Sequence, residues 1–169
     1  MSSVTVTKDS KASVNESGVP KPNIRRCTLD EFKVKADPLF QEHYEEIALR
    51  KDLMDLKPNW PMYQALKDAG SLFIYVAMHG NVCIGYSMNF VTNHLHYADL
   101  KYCQNDVLFI KKEYRGSRIG LRLMRITEDH AKLLGCKMML WHAKEDTALA
   151  KLLPRLKYGV QDIVFSKEL

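Results

Sequence analysis

The stretch Val107-Leu-Phe-Ile-Lys-Lys-Glu-Tyr-Arg-Gly-Ser-Arg-Ile-Gly-Leu121, with the residues that follow it, constrains the fold more than any other part of the chain. Val107 to Ile110 are consecutive apolar residues, the pattern of a strand covered on both faces. Gly116 and Gly120 flank a short turn that carries Arg115 and Arg118. Leu123, Met124, Thr127, Ala131 and Leu134 then fall at helical spacing, and Gly135 supplies a stop. A strand feeding a loop that opens a helix aims backbone N–H groups and the positive end of the helix dipole at one spot. Such a spot suits an anion, and phosphate above all.

The 169 residues, 46% hydrophobic and 27% charged, suit one domain with a sizeable core. A net charge of +5 fits an anionic ligand as well as plain solubility. Nucleic acid is not the expected partner, because no interleaving of basic and aromatic residues accompanies the charge. Cys27, Cys83, Cys103 and Cys136 show neither metal nor redox spacing, so no metal site is expected and the thiols read as reduced, which favours the cytoplasm. No run reaches the length of a membrane span, and the first residues lack the apolar core of a signal peptide.

Residues 1–22, ending in Gly18, Pro20 and Pro22, read as a flexible tail, and 23–169 as the folded domain. Ile24 to Thr28 suits a first strand. Asp37-Pro38 is expected to open a helix with Phe40, Tyr44, Ile47 and Ala48 on its apolar stripe. Pro61 opens a second helix, whose buried face would be Met62, Tyr63, Leu66 and Ala69. Leu72 to Met78 and Val82 to Val91 flank the turn His79-Gly80-Asn81 as a hairpin, with Gly85 marking a bulge or a close approach. Tyr102 to Lys111 is the next strand. After the long helix, Lys137 to His142 is a short strand, Asp146 caps a helix through Leu153, and Val160 to Ser166 is a final strand. Glu128 and Lys132 read as an ion pair one turn apart.

The loop resembles the coenzyme A-binding motif of the GNAT acetyltransferases: Arg or Gln, two residues, Gly, one residue, then Gly or Ala, between a strand and a helix. Arg115, Ile119 and Gly120 fit, whereas Arg118 stands where the family usually has Gly. The element order resembles that family over residues 24–169. Within it, His94-Leu-His-Tyr97, Asp106 to Ile110, Tyr114 to Leu123 and Leu153 to Tyr158 resemble a branch frequent in bacteriophage and prophage genomes. The resemblance implies an α/β (α+β) fold, a mixed central sheet with splayed parallel strands flanked by helices. It implies acetyl-CoA as cosubstrate, with an amine on a small molecule or on a host or phage protein as acceptor, in the host cytoplasm if phage-encoded. Monomer and homodimer both stay open.

In such a fold the thioester arm would lie along the backbone of Leu108, Phe109 and Ile110, and the pyrophosphate against Arg115, Gly116, Ser117, Arg118, Ile119, Gly120 and Leu121. Amine acetylation needs a proton acceptor. Asp106 is the leading candidate, since alternation puts it on the face of Leu108 and Ile110. His94 and His96 alternate on an extended segment and are rivals. The family's acid is a Tyr in a Leu-Tyr-x-x-x-Gly-Phe-like segment. With Gly159 as its Gly, Pro154 or Arg155 takes that position and Tyr158 lies one turn later. Trp60, Tyr63 and Tyr97, with the acidic residues Glu45, Glu46, Asp52 and Asp55, would face the acceptor. A non-catalytic acyl-CoA-binding or protein-interaction module is the alternative, supported by the altered Gly and the displaced Tyr.

Overall fold

The computed structural model describes residues 21–169, so the expected tail lies outside the described residues apart from Lys21 and Pro22. Strand β1 (Asn23–Cys27) is followed by helices α1 (Leu29–Ile47) and α2 (Trp60–Asp68) and by strands β2 (Leu72–His79), β3 (Val82–Asn93) and β4 (Lys101–Ile110). Helix α3 (Ile119–Leu133), strand β5 (Met138–Leu140) and helix α4 (Ala148–Leu152) complete the order. The strands lie side by side in chain order; β1 to β4 are antiparallel and β4–β5 is parallel. This is the mixed sheet the element order implies.

Alternation along the strands gives each sheet face its own helix. Helix α1 packs Leu29, Phe32, Ala36, Leu39 and Phe40 onto Ile74, Val76, Tyr86, Met88 and Phe109. On the opposite face Ile119 and Leu123 of α3 meet Ala77, Ile84 and Ile110, and Ala131 meets Phe73, Val91 and Cys103. Two bulges bend the ladder. Ile84 is the extra residue where Ala77 pairs with Gly85 and Met78 with Cys83. Asp106 is the extra residue where Asn89 pairs with Asn105 and Met88 with Val107. Gly85 is also a close approach: a Cβ there would stand 2.6 Å from the Phe109 carbonyl oxygen.

Four expectations about the elements fail for local reasons. Helix α1 begins at Leu29, eight residues before Asp37, because Thr28 caps it by accepting from the Glu31 N–H at 3.2 Å. Pro38 therefore lies inside the helix and removes one hydrogen bond there. Helix α2 buries no residue fully; Met62 is 57% exposed, and Tyr63 is half-buried. Thr147 caps α4, accepting from Ala150 N–H at 3.3 Å, and Asp146 stands before it with φ 61°. Val160 to Ser166 forms no strand. A β-prone segment needs a ladder partner, and this one leaves β5 after a left-handed turn at Lys157 and ends with Glu168 paired to Arg50 at 2.7 Å. Among the described residues no helix is long and apolar enough to cross a membrane.

Candidate active site

The two parallel strands part early. β5 pairs with β4 only over Tyr102 to Gln104, so β4 keeps an edge from Asn105 to Ile110 that no strand covers among the described residues. The carbonyl of Phe109 is turned to Gly85 on β3. Neighbouring residues alternate, so Leu108 and Ile110 turn their backbone groups to the open edge. The Ile110 carbonyl accepts from Arg115 Nε at 2.7 Å. What stays available is the N–H and C=O of Leu108 and the N–H of Ile110.

The loop then delivers the chain to the start of α3. Gly116 has φ 92° and Arg118 φ 63°, both left-handed. The position where glycine was missed in the sequence therefore does require glycine-like backbone, and Arg118 adopts it. Its side chain is exposed. Thr28, Asn59 and Thr147 each cap a helix with a side-chain oxygen, but no side chain caps α3. The N–H groups of Ile119, Gly120 and Leu121 precede the first intrahelical bond, Arg122 N–H to Arg118 O at 3.0 Å. Two expected donors are already used: Arg115 N–H bonds Lys112 O at 3.2 Å, and Ser117 N–H bonds Tyr114 O at 3.4 Å. Arg118, Arg122 and Arg125 have no ion-pair partner among the described residues, so the start and first two turns of α3 carry unpaired positive charge.

Arg115 is the tie between this loop and α1. Its guanidinium donates to both Glu46 oxygens at 2.7 Å and lies 5.4 Å from the Phe109 ring centre. That bond holds the Glu46 carboxyl below its ordinary range. Lys144, from the segment after β5, donates to the Ile47 carbonyl at 2.8 Å. The end of α1 is thus fastened to both sides of the gap between β4 and β5. His43, one turn earlier, was not singled out in the sequence. It is only 6% exposed, stacks on Phe109 with ring centres 4.6 Å apart, and bonds Tyr86 Oη through Nδ1 at 2.8 Å. Burial pushes its pKa down to about 4. A histidine in phase with Ala36 and Leu39 on the buried stripe was the signal that could have found it.

Asp106 does not share the face of Leu108 and Ile110. The bulge gives it the side of Val107, and its Oδ2 accepts from the Tyr63 hydroxyl. Burial, reinforced by that bond, raises the Tyr63 pKa. Asp106 is exposed, so its carboxylate stands in water at the α2 side of the gap. His94 and His96 lie elsewhere. They sit in the β3–β4 hairpin, where the His96 N–H donates to His94 Nδ1 at 3.1 Å. His94 N–H bonds Leu100 O, so about five strand residues, roughly 16 Å, separate the pair from Asp106. His142 is joined to Asn105 through its backbone.

Tyr158 donates its hydroxyl proton to Glu128 Oε1, which also accepts from Trp141 Nε1 at 2.9 Å. Burial and this bond push the Tyr158 pKa up to about 12. Glu128 is thus no partner of Lys132, which pairs with Asp129 at 3.2 Å. The left-handed residue that closes this segment is Lys157 rather than Gly159. Counting the family's motif from Lys157 puts Leu153 at the Tyr position and Tyr158 at the Phe position. The four acidic residues expected to face an acceptor each hold a cation of the same chain: Glu45 with Lys51, Glu46 with Arg115, Asp52 with Arg50, Asp55 with Lys57.

These features are those of an acetyltransferase fold, and comparison bears this out. The model of the acetyltransferase (GNAT) family matches residues 34–158, and the chain belongs to that family. No curated protein matches the sequence. Among solved structures, a putative acetyl transferase from Pyrococcus furiosus superposes with a TM-score of 0.69 at 16% identity, covering 88% of this chain and 100% of that one. An aminoglycoside acetyltransferase from an uncultured soil metagenomic sample gives 0.68 at 16% identity, covering 88% and 96%. The ribosomal-protein-alanine N-acetyltransferase of Brucella melitensis biovar Abortus gives 0.63 at 13% identity, covering 88% and 99%. At such identities the likeness is one of fold, and the last two are named for different acceptors.

Proposed function

We propose that the chain moves an acetyl group from acetyl-CoA to a primary amine of a protein or small molecule, directly within a ternary complex. The observation that carries this reading is the uncapped start of α3 beside the uncovered edge of β4. The amides of Gly116 and Arg118 to Leu121, with Arg122 and Arg125 close by, suit a diphosphate. The backbone of Leu108 and Ile110 suits an extended amide-bearing arm, held as an added strand would be. An N–H there polarises the thioester carbonyl in this reading.

Asp106 is the proton acceptor in this reading. The incoming ammonium gives its proton, through water, to the carboxylate that Tyr63 orients. The amine nitrogen then bonds the acyl carbon, the carbon–sulfur bond breaks, and the nitrogen gives its second proton to water. Tyr158 keeps its proton turned to Glu128, with a raised pKa, so the leaving thiolate takes its proton from solvent. His94 and His96 belong to the rim that would meet the acceptor. The resemblance to the phage and prophage branch supports a host or phage protein as that acceptor. The same engagement of Tyr158, with Arg118 in the glycine position, favours the second reading, an acyl-CoA-binding module without turnover.

Calorimetry with acetyl-CoA, and mass spectrometry of proteins and metabolites from cells expressing the chain, test both. Binding together with new acetylated amines supports the enzyme. Binding without any turnover, hydrolysis included, supports the module. Absence of binding overturns both.

A further inference from the structure

Tyr86 is the largest side chain sealed completely from solvent. Its hydroxyl lies between the sheet and α1, and its one hydrogen-bond partner among the described residues is His43 Nδ1, at 2.8 Å. A buried hydroxyl gives its proton wherever an acceptor is in reach. Nδ1 is the acceptor here, so Nδ1 carries the lone pair and the ring proton sits on Nε2. The ring is neutral, its pKa lowered to about 4 mainly by burial, with Lys144 and Arg115 pushing the same way and Glu46 opposing them. Stacking on Phe109, at an interplanar angle of 26°, sets the plane of the ring.

Nε2–H has no hydrogen-bond partner among the described residues. Yet no unpartnered side-chain nitrogen or oxygen among them is sealed from solvent. The Nε2–H of an otherwise buried histidine therefore opens onto accessible space. The ring lies over Phe109, whose neighbours Leu108 and Ile110 present the open edge of β4. One turn on, the end of α1 is bound by Arg115 from the loop and by Lys144 from beyond β5. These neighbours border the gap between the parting strands.

We infer that His43 is a hydrogen-bond donor to a carbonyl oxygen of the acyl-pantetheine arm, with Tyr86 as the residue that fixes its tautomer. The inference rests on reading that gap as the thioester site. It also excludes His43 as the base: the nitrogen facing the gap already holds a proton, and the other is taken by Tyr86. A fixed donor aimed at a carbonyl costs no reorganisation when charge grows on that oxygen.

Ring-nitrogen and amide NMR of the full chain, uniformly labelled with nitrogen-15, gives the test. His43 should show a protonated Nε2 and an unprotonated Nδ1, Tyr86→Phe should mix the tautomers, and acetyl-CoA should shift Nε2–H. In kinetics His43→Leu should lose roughly 10²-fold in kcat/KM. His43→Gln, whose amide N–H can stand near the Nε2 position, should recover most of it. A loss in kcat puts the donor on the thioester carbonyl, and a rise in KM alone puts it on an amide carbonyl of the arm. A protonated Nδ1 overturns the inference. So does an Nε2–H that stays still while acetyl-CoA shifts the Gly116 and Gly120 amides, even should His43→Leu fail to fold. If acetyl-CoA shifts no signal at all, the reading of the gap falls instead, and the tautomer is unaffected.

Discussion

The side-chain amide of Asn105 takes both backbone groups of His142, accepting from its N–H at 2.6 Å and donating to its C=O at 3.3 Å. The parallel ladder ends one residue earlier, at Gln104 and Leu140. Asn105 is 2% exposed and does with its side chain what the next ladder rung would have done with backbone. The strands are therefore held at a set distance where they part. Replacing Asn105 by Leu leaves two half-buried peptide groups without partners, at an expected cost of roughly 2–4 kcal/mol. The urea midpoint should fall with little change in slope, and the His142 amide should exchange faster. A variant as stable as the parent would mean that the gap is held open elsewhere.

Arg118 has a φ of 63°, and its side chain is exposed in the basic loop. Backbone and side chain make opposite demands. A left-handed conformation costs a non-glycine residue roughly 1–2 kcal/mol and the entropy of glycine takes back roughly 0.5–1, so Arg118→Gly should stabilise the fold by about 0.5 kcal/mol. The same change removes a cation beside the proposed diphosphate cradle. Coenzyme A affinity should fall several-fold at low salt, and the difference should shrink as salt is raised. Melting curves and calorimetry on one pair of proteins decide both. A variant that is more stable and binds equally well would confine Arg118 to solubility.

The strand, loop and helix at the centre of the site were legible because each rests on local chemistry: an apolar run, glycines, and a periodic stripe. So was the hairpin around Gly80, and so was the tight approach at Gly85. The start of α1 was legible too, in the spacing of Thr28 and Glu31, but Pro38 drew attention away. Other features depend on pairing and could not be read from residue order. The bulge that turns Asp106 to the other face exists only between β3 and β4. Residues 160–166 have strand composition and no partner. His43 gains its meaning from Tyr86 and Phe109, both far away in the chain.

Asp106 and Tyr63 separate chemistry from orientation. If Asp106 receives the proton, Asp106→Asn should lower kcat by 10²- to 10⁴-fold, the usual range for a lost general base, and leave acetyl-CoA binding unchanged. Tyr63→Phe removes one oriented hydrogen bond, about 1 kcal/mol, so a loss of about fivefold is expected. The Asn variant should fold normally, because Asp106 is exposed. Full activity of Asp106→Asn would move the proton acceptor to another group, with the histidines of the hairpin next to be replaced.

His43 should also leave a mark on stability, whatever the ligand. Its pKa is lowered from 6.5 to about 4 in the fold. As pH falls through 6.5 the unfolded chain binds a proton there and the native ring does not, so unfolding is favoured. The contribution is fully present above about pH 6.5 and is lost progressively down to about pH 4. Between pH 6.5 and about pH 5 the loss should be about 2 kcal/mol. The carboxylates held low by their cations, Glu31 with Arg25 and Glu46 with Arg115, add their own losses mainly below that window. His43→Gln should flatten the slope between about pH 5 and 6.5 while leaving the steeper acid limb in place. Urea titrations of both proteins at several pH values measure it, and parallel curves would show that the ring is not buried in its neutral form.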